Sequence, residues 1–247
     1  MNKKLKKEKK SKYIFKCISK FCDNLVLECH EINKFDDLVK LGKEILPIYS
    51  QAFADNINSL LDSNFQIKQE FLKFYEKISS DFREKLEEQR VFAFEQKENL
   101  INRINSTRDY VLQLVENGLL EGLFYCEPVI IFLKNKENKI LGFALFLRKY
   151  PNSENILKFP KNLVPAVEFG KESVYLHHLA ILPEFQGKGL ARPLIFSILE
   201  LMPKIKKIIL DTDFWNTKSQ SIYKKFGFNE IGRRSYDQVA IFEYIKD

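Results

Sequence analysis

Between Val174 and Leu201 the chain reads VYLHHLAILPEFQGKGLARPLIFSILEL, an apolar strand, a glycine loop and an amphipathic helix in direct succession. No other stretch restricts the fold as tightly. A strand that runs through Gln186-Gly187-Lys188-Gly189-Leu190-Ala191 into a helix predicts an α/β domain with an anion at the junction. Small residues let backbone N–H groups turn toward a ligand, and the helix behind them adds the positive end of its dipole. His177 and His178, on the strand just before the loop, suggest proton chemistry beside that anion.

The chain's 247 residues, 45% of them hydrophobic and 22 of them Phe, are enough for one large core or for a domain with an insertion. The net charge of +7 is not spread evenly. Residues 1–20 hold nine Lys against the single acid Glu8, which leaves residues 21–247 close to neutral. The body is therefore not a basic nucleic-acid binder. The tail is expected to be solvated and disordered, with weak attraction to RNA or to an anionic membrane as the alternative.

No run reaches the length of a membrane span. Tyr13 to Phe21 is interrupted by Lys16 and Lys20 and lacks the apolar region of a secretory signal. Cys17, Cys22 and Cys29 with His30 have spacings that fit no compact zinc finger, so these thiols and Cys126 are expected to be reduced and mostly buried. A cytoplasmic location follows as an expectation, with no metal required.

Along the chain, Leu25–Ile32 alternates as a strand, and Asp36 and Asp37 offer an N-cap to a helix carrying Leu38, Leu41, Ile45, Ile48 and Phe53. Residues 56–118 read as helical throughout, with a break and cap at Asn105-Ser106-Thr107, and form an insertion. Val129–Leu133 and Ile140–Leu147 predict a hairpin, and Tyr150–Gly170 a loop. Then come a strand over Ser173–Leu182, a helix over Leu190–Leu201 and a strand over Ile205–Asp211. A helix over Asn216–Phe226 ends at Gly227, and Phe228–Ile231 and Gln238–Ile245 close the domain as a strand pair.

Two blocks, set in this order of elements, resemble the GNAT superfamily of acyl-CoA-dependent N-acyltransferases. Gln186, Gly189 and Ala191 fit the family's Gln/Arg-x-x-Gly-x-Gly/Ala loop. Asn216 with Ser221, Ile222, Tyr223, Phe226, Gly227 and Phe228 resembles its Asn…Tyr-x-x-x-Gly-Phe helix. The likeness covers about residues 128–246, and more loosely 25–53, and leaves the insertion unexplained. It implies an α/β (α+β) fold with a mixed, mostly antiparallel sheet, a splayed central strand pair and flanking helices. It also implies one domain over residues 21–247.

The resemblance implies acetyl-CoA as co-substrate and an amine, still unidentified, as acceptor. Gln186, Gly187, Lys188, Gly189, Leu190 and Ala191 would cradle the coenzyme pyrophosphate, with Asn216 touching the coenzyme and Ile181 giving backbone bonds to the pantetheine arm. The N–H of Leu179 would polarise the thioester carbonyl, and Tyr223 would donate to the departing thiolate. Trp215 and Phe214 pack near the adenine or in the core.

An alkylamine is mostly protonated at pH 7, so a base helps. Adjacent residues of a strand point to opposite faces, which makes Tyr175, His177, Leu179 and Ile181 one set. That set is expected to face cofactor and acceptor. His177 is then the candidate base, with a structural role as the alternative, and His178 is expected to pack. Other family members carry a catalytic glutamate where this chain has Tyr175. The acceptor stays open among small amines, protein N-termini, lysines and aminoacyl-tRNA. A non-catalytic acyl-CoA sensor or scaffold and an RNA-linked acetyltransferase recruited by the tail remain as rivals.

Overall fold

In a computed structural model, residues 11–14, 25–54, 60–76, 80–116, 119–149, 169–234 and 239–246 are described. Eight strands form one sheet in the order β1-β2-β3-β4-β5-β6-β8-β7. They are β1 (Ser11–Ile14), β2 (Val26–Glu31), β3 (Pro128–Lys134), β4 (Ile140–Leu147), β5 (Ser173–Ile181), β6 (Lys207–Asp213), β7 (Asn229–Arg234) and β8 (Val239–Ile245). Every neighbouring pair is antiparallel except β5 and β6. The mixed, mostly antiparallel α/β architecture is therefore the one the sequence predicts.

β3 reads Pro-Val-Ile-Ile-Phe-Leu-Lys and is buried along its whole length, as a strand covered on both faces must be. Two cores explain this. One lies beneath α6 (Ala191–Leu201) and takes Val129, Ile131, Phe146, Leu176, Leu194, Ile198 and Leu210. The other lies beneath α1 (Phe35–Phe53) and α5 (Leu119–Tyr125) and takes Leu38, Leu41, Ile48, Phe132, Phe143 and Ile209. Phe132, Phe143, Phe146 and Phe242 are among the largest fully buried side chains. Each burial contributes about 2–3 kcal/mol.

Several local expectations are corrected. The N-cap of α1 is Lys34, whose side chain makes no capping bond. Asp36 and Asp37 instead sit inside the first turn, where their charge complements the helix dipole. Residues 60–71 are not helical throughout. Leu61 and Ile67 form a bridge, with Asp62 Oδ1 accepting from the N–H groups of Asn64 and Gln66, and a single 3-10 turn follows over Gln69–Phe71. Then come α2 (Leu72–Tyr75), α3 (Ser80–Glu95) and α4 (Leu100–Glu116).

The break before α4 is at Asn99, whose Oδ1 accepts from the Asn102 N–H at 3.0 Å. Asn105, Ser106 and Thr107 lie within α4, and Thr107 Oγ1 donates to the Arg103 carbonyl at 3.0 Å. In the segment read as a disordered tail, Ser11–Ile14 pairs with β2 as an edge strand, and the other residues of 1–20 lie outside the described ones. So do Cys17, Cys22, Ile78 and most of the 150–170 loop. Cys29 and Cys126 are free, buried thiols that burial pushes up to about 11. Among the described residues no helix is long and apolar enough to cross a membrane.

Gly142 sets how closely β4 and β5 approach. A Cβ there would stand 2.7 Å from the Ala180 carbonyl oxygen and 3.0 Å from Ile181 Cγ1. Gly142→Ala is expected to cost about 1–3 kcal/mol, because the obstacle is backbone. Denaturant melts should show a lower midpoint with unchanged slope, and an unshifted midpoint would contradict this close approach.

Candidate active site

β5 and β6 run parallel from Ser173↔Lys207 only to Leu176↔Leu210. Beyond that point β5 stays with β4 as far as Ile181, and β6 stays with β8 as far as Asp213. A wedge therefore opens between the two central strands. The Leu182 N–H donates to the Leu141 carbonyl at 2.9 Å, so by strand alternation the N–H and C=O groups of Leu179 and Ile181 turn the other way, into the wedge. There Gln186 Nε2 donates to the Ile181 carbonyl at 3.0 Å.

The wedge begins at a β-bulge. Leu145 pairs with His178 and Phe146 with Leu176, which leaves His177 as the extra residue. This corrects the expected strand parity. Tyr175 belongs to the α1-side core, whereas Leu179 and Ile181 pack against the α6-side core. The histidines do not point to opposite faces, since their ring centroids are 4.1 Å apart. His178 meets Tyr49 edge-on at 5.1 Å and Phe53 at 6.3 Å, and burial pushes it down to about 4. The His177 ring lies 5.9 Å from that of Tyr175. The Tyr175 hydroxyl in turn donates to Asp211 Oδ2 at 2.6 Å.

At the wide end of the wedge lies the glycine loop. Gly187 and Gly189 have φ of +74° and +78°, and a Cβ on either would meet nothing within 4 Å. Backbone conformation, rather than crowding, therefore requires glycine at both. Gln186 to Gly189 are exposed, while Leu190 is buried and serves as the N-cap of α6. Leucine has no acceptor to cap with, and no side chain does so. Ala191 begins the helix.

The first turn of α6 holds no acid but does hold Arg192, whose guanidinium lies 5.0 Å from the Phe196 ring centre. Lys188 Nζ lies 4.9 Å from that of Phe185. A cation in a first turn opposes the helix dipole, which is a sequence signal for an anionic ligand that the reading of the loop passed over.

Tyr223, in α7 (Thr217–Lys225), is buried in the α6-side core between Phe228 and Phe242, at 5.8 Å and 6.0 Å. Burial, and then the charge of Asp211, pushes its phenol above the usual range. Asn216 caps α7, its Oδ1 accepting from the Ser219 N–H at 3.1 Å. Trp215 is buried in a third cluster with Leu60, Phe71 and Leu86, and Phe214 packs against it. That places both with the insertion rather than in the main core.

The sequence reading missed Asp211, Asp213, Tyr49, Arg192 and Gln220. Gln220 Nε2 donates to the carbonyls of Asp213 and Phe214, at 3.2 Å and 2.6 Å, and so fixes the turn from β6 into α7. Tyr49 is pushed up to about 12 by burial, with Tyr110 and Asp213 adding to the rise. A wedge with open backbone groups, an uncapped helix N-terminus beside it and titratable groups at its apex can bind an extended, anionic ligand and carry out proton transfer at one end.

The family model described as Acetyltransferase (GNAT) family matches residues 73–228. No curated protein matches the sequence. Among solved structures, a paia N-acetyltransferase from Thermoplasma acidophilum in complex with coenzyme A is 14% identical, with a TM-score of 0.42 over 89% of this chain and 98% of that one. A GNAT family acetyltransferase from Listeria monocytogenes 4b F2365 is 12% identical, with a TM-score of 0.45 over 89% of this chain and 95% of that one. A nourseothricin acetyltransferase is 14% identical, with a TM-score of 0.36, and the match spans 49% of this chain and 66% of that one.

His178 provides a test of the apex packing. A histidine held below its unfolded value of about 6.5 binds fewer protons folded than unfolded, so its contribution to stability is complete above pH 6.5 and is lost as pH falls toward 4. NMR titration should show the His178 imidazole neutral at pH 6. Its replacement by leucine should flatten the fall in stability between pH 6.5 and 4. A His178 that titrates near 6.5 would mean that Tyr49 and Phe53 do not bury it.

Proposed function

The chain belongs to the GNAT acetyltransferase family, an acyltransferase family that uses acetyl-CoA, and from that premise we propose that it moves an acetyl group from acetyl-CoA to a primary amine by direct transfer in a ternary complex. One observation carries this reading. The open edge at Leu179 and Ile181 leads directly to the uncapped start of α6, two complementary surfaces for one molecule with amides at one end and a pyrophosphate at the other.

The pyrophosphate is held by backbone N–H groups of Gly187, Lys188, Gly189, Leu190 and Ala191, with the dipole of α6 and the charges of Lys188 and Arg192 behind them. The amides of the pantetheine arm add to the free edge of β5 like a short strand, bonding the Ile181 N–H. Gln186 supports that edge through the Ile181 carbonyl. The oxygen of Asn216 is engaged in capping α7, so its amide nitrogen is the group offered to the coenzyme.

At the apex the Leu179 N–H polarises the thioester carbonyl, a role that the open β5 edge supports. A donor in that role accelerates acyl transfer by about 10²–10³. Only about one alkylamine in a few thousand is neutral at pH 7, so His177 takes the proton that the amine must lose. A phenol raised above its ordinary value stays protonated through the working range, and Tyr223 donates to the sulfur as the thiolate leaves.

The decisive experiment is a panel of amines with acetyl-CoA, followed by thiol release. Tyr223→Phe is expected to lower kcat by about 10²-fold or more with little change in acetyl-CoA affinity. His177→Ala should alter the pH–rate profile on its acidic limb, and an unchanged profile would remove His177 as the base. Gly189→Glu, which puts bulk and negative charge at the pyrophosphate, should abolish acetyl-CoA binding in calorimetry while the circular dichroism spectrum is unchanged. Retained binding would overturn the coenzyme assignment.

A further inference from the structure

The apex holds a carboxylate that the reaction, as described, leaves without a task. Asp211 is the first residue of β6 beyond the parallel ladder, whose last pair is Leu176↔Leu210. Ile209 packs in the α1-side core and Leu210 in the α6-side core, so alternation turns Asp211 toward α1. That is the side on which Tyr175, His178, Tyr49 and Phe53 lie. The pyrophosphate loop and α6 occupy the opposite side. An acceptor that is to meet the thioester without displacing the coenzyme must therefore come in past Asp211.

The carboxylate is also held in place. Tyr175, 3% exposed, donates to Oδ2 at 2.6 Å, which fixes the rotamer of Asp211 against the strand. Asp213, two residues further, is turned the same way, and its charge adds to the rise of the Tyr49 phenol. The groups facing this corner are thus Tyr175, His177 and His178 of β5, Asp213 of β6, Tyr49 of α1 and Tyr110 of α4, with Tyr223 of α7 within reach of Asp211's charge. A carboxylate in a partly dewatered corner binds an ammonium by charge-assisted hydrogen bonds far better than it could in bulk water.

Resting on the acetyl-transfer reading above, we propose that Asp211 is the ammonium-binding residue of the acceptor site and selects protonated alkylamines over neutral arylamines. The carboxylate holds the ammonium, which then gives one proton to His177. The freed lone pair forms the C–N bond at the thioester carbonyl carbon, and the C–S electron pair leaves on sulfur. Tyr223 supplies the proton that the thiolate takes up, and the second N–H proton replaces it. Atoms and charge balance as alkylammonium plus thioester giving amide, thiol and one proton released to solvent from His177.

A residue that binds the ammonium before chemistry acts on KM. Steady-state kinetics with n-butylamine should show Asp211→Asn raising KM by about 30–100-fold, with kcat within a few-fold of the original and acetyl-CoA affinity unchanged. The small rate with aniline, neutral at pH 7, should not change. Asparagine keeps an oxygen for the Tyr175 hydroxyl, so a purely structural role would not move KM. Tyr175→Phe, which removes that hydrogen bond and keeps the charge, should raise KM only a few-fold.

The unaltered protein provides an independent check. n-Butylguanidinium, a cation at every working pH that keeps N–H donors, should compete with n-butylamine at least tenfold better than the neutral n-pentanol. Equal inhibition by the two, an unchanged KM in Asp211→Asn, or equal losses in Asp211→Asn and Tyr175→Phe would each overturn the role of Asp211 and leave acetyl transfer standing. An unaltered protein that binds acetyl-CoA and acetylates no amine would instead overturn the acetyl-transfer reading, and this role with it.

Discussion

The parting of β5 from β6 after four paired residues is the constraint on which the functional half of the molecule depends. A central strand normally satisfies its backbone on both sides, and an unmade hydrogen bond in a buried position costs about 1–3 kcal/mol. The chain meets this cost at Leu179 and Ile181 through geometry rather than sequence chemistry. His177 is an extra residue opposite the Leu145–Phe146 step, and a bulge bends its strand and increases the local twist. β6 has no such insertion against β8 and continues straight. The Ile181 carbonyl regains one partner in Gln186. What is left along that edge is, in the reading proposed above, the template for the amide-bearing arm of the coenzyme, and the loop that presents Gln186 also begins the helix proposed to hold its phosphates.

The helical segment between α1 and β3 is built around the opposite wall of the same wedge. Leu60, Phe71 and Leu86 enclose Trp215, with Phe214 edge-on to Phe71 at 5.6 Å. The turn they grip leads straight into Asn216 and the helix that carries Tyr223. The same segment lays α4 along α1, which brings Tyr110 toward Tyr49. One insertion thus braces both the residue proposed to protonate sulfur and the aromatic floor under His178. Its own helix faces are weakly apolar, with Phe94, Leu100 and Ile101 exposed, so its placement comes from these few anchors rather than from a core of its own.

What could be read from the sequence was what adjacent residues specify. Gln186 to Ala191 and Asn216 to Phe228 are short local patterns, and the unbroken apolar runs of β3 and β4 show directly which strands are buried. The bulge could not be read this way, because Tyr-Leu-His-His-Leu-Ala-Ile has the same apparent period with or without an extra residue. Its presence reverses which side chains share a face. Asp211 was hidden for a different reason, since its partner Tyr175 lies 36 residues away and meets it only through sheet pairing. The misplaced break in α4 follows from side-chain chemistry. Asn-Ser-Thr resembles a cap, but a threonine hydroxyl that donates to the carbonyl one turn back lets the helix continue, while Asn99 does the capping.

The bulge also decides how two neighbouring histidines can divide their work. With rings 4.1 Å apart they could not both carry charge cheaply, since two unit charges near 4 Å repel by about 4 kcal/mol at an effective dielectric constant of 20. Had both faced water equally, each would have suppressed protonation of the other near neutral pH, and they would have titrated as a coupled pair. Tyr49 and Phe53 break that symmetry. They take the His178 ring into an aromatic corner where burial keeps it neutral, and a neutral imidazole does not oppose a charge on its neighbour. In the proposed reaction, proton uptake is thereby left to His177. The aromatic stack on α1, 4.4 Å between Tyr49 and Phe53, is thus what sets His178 apart from the proposed base, His177.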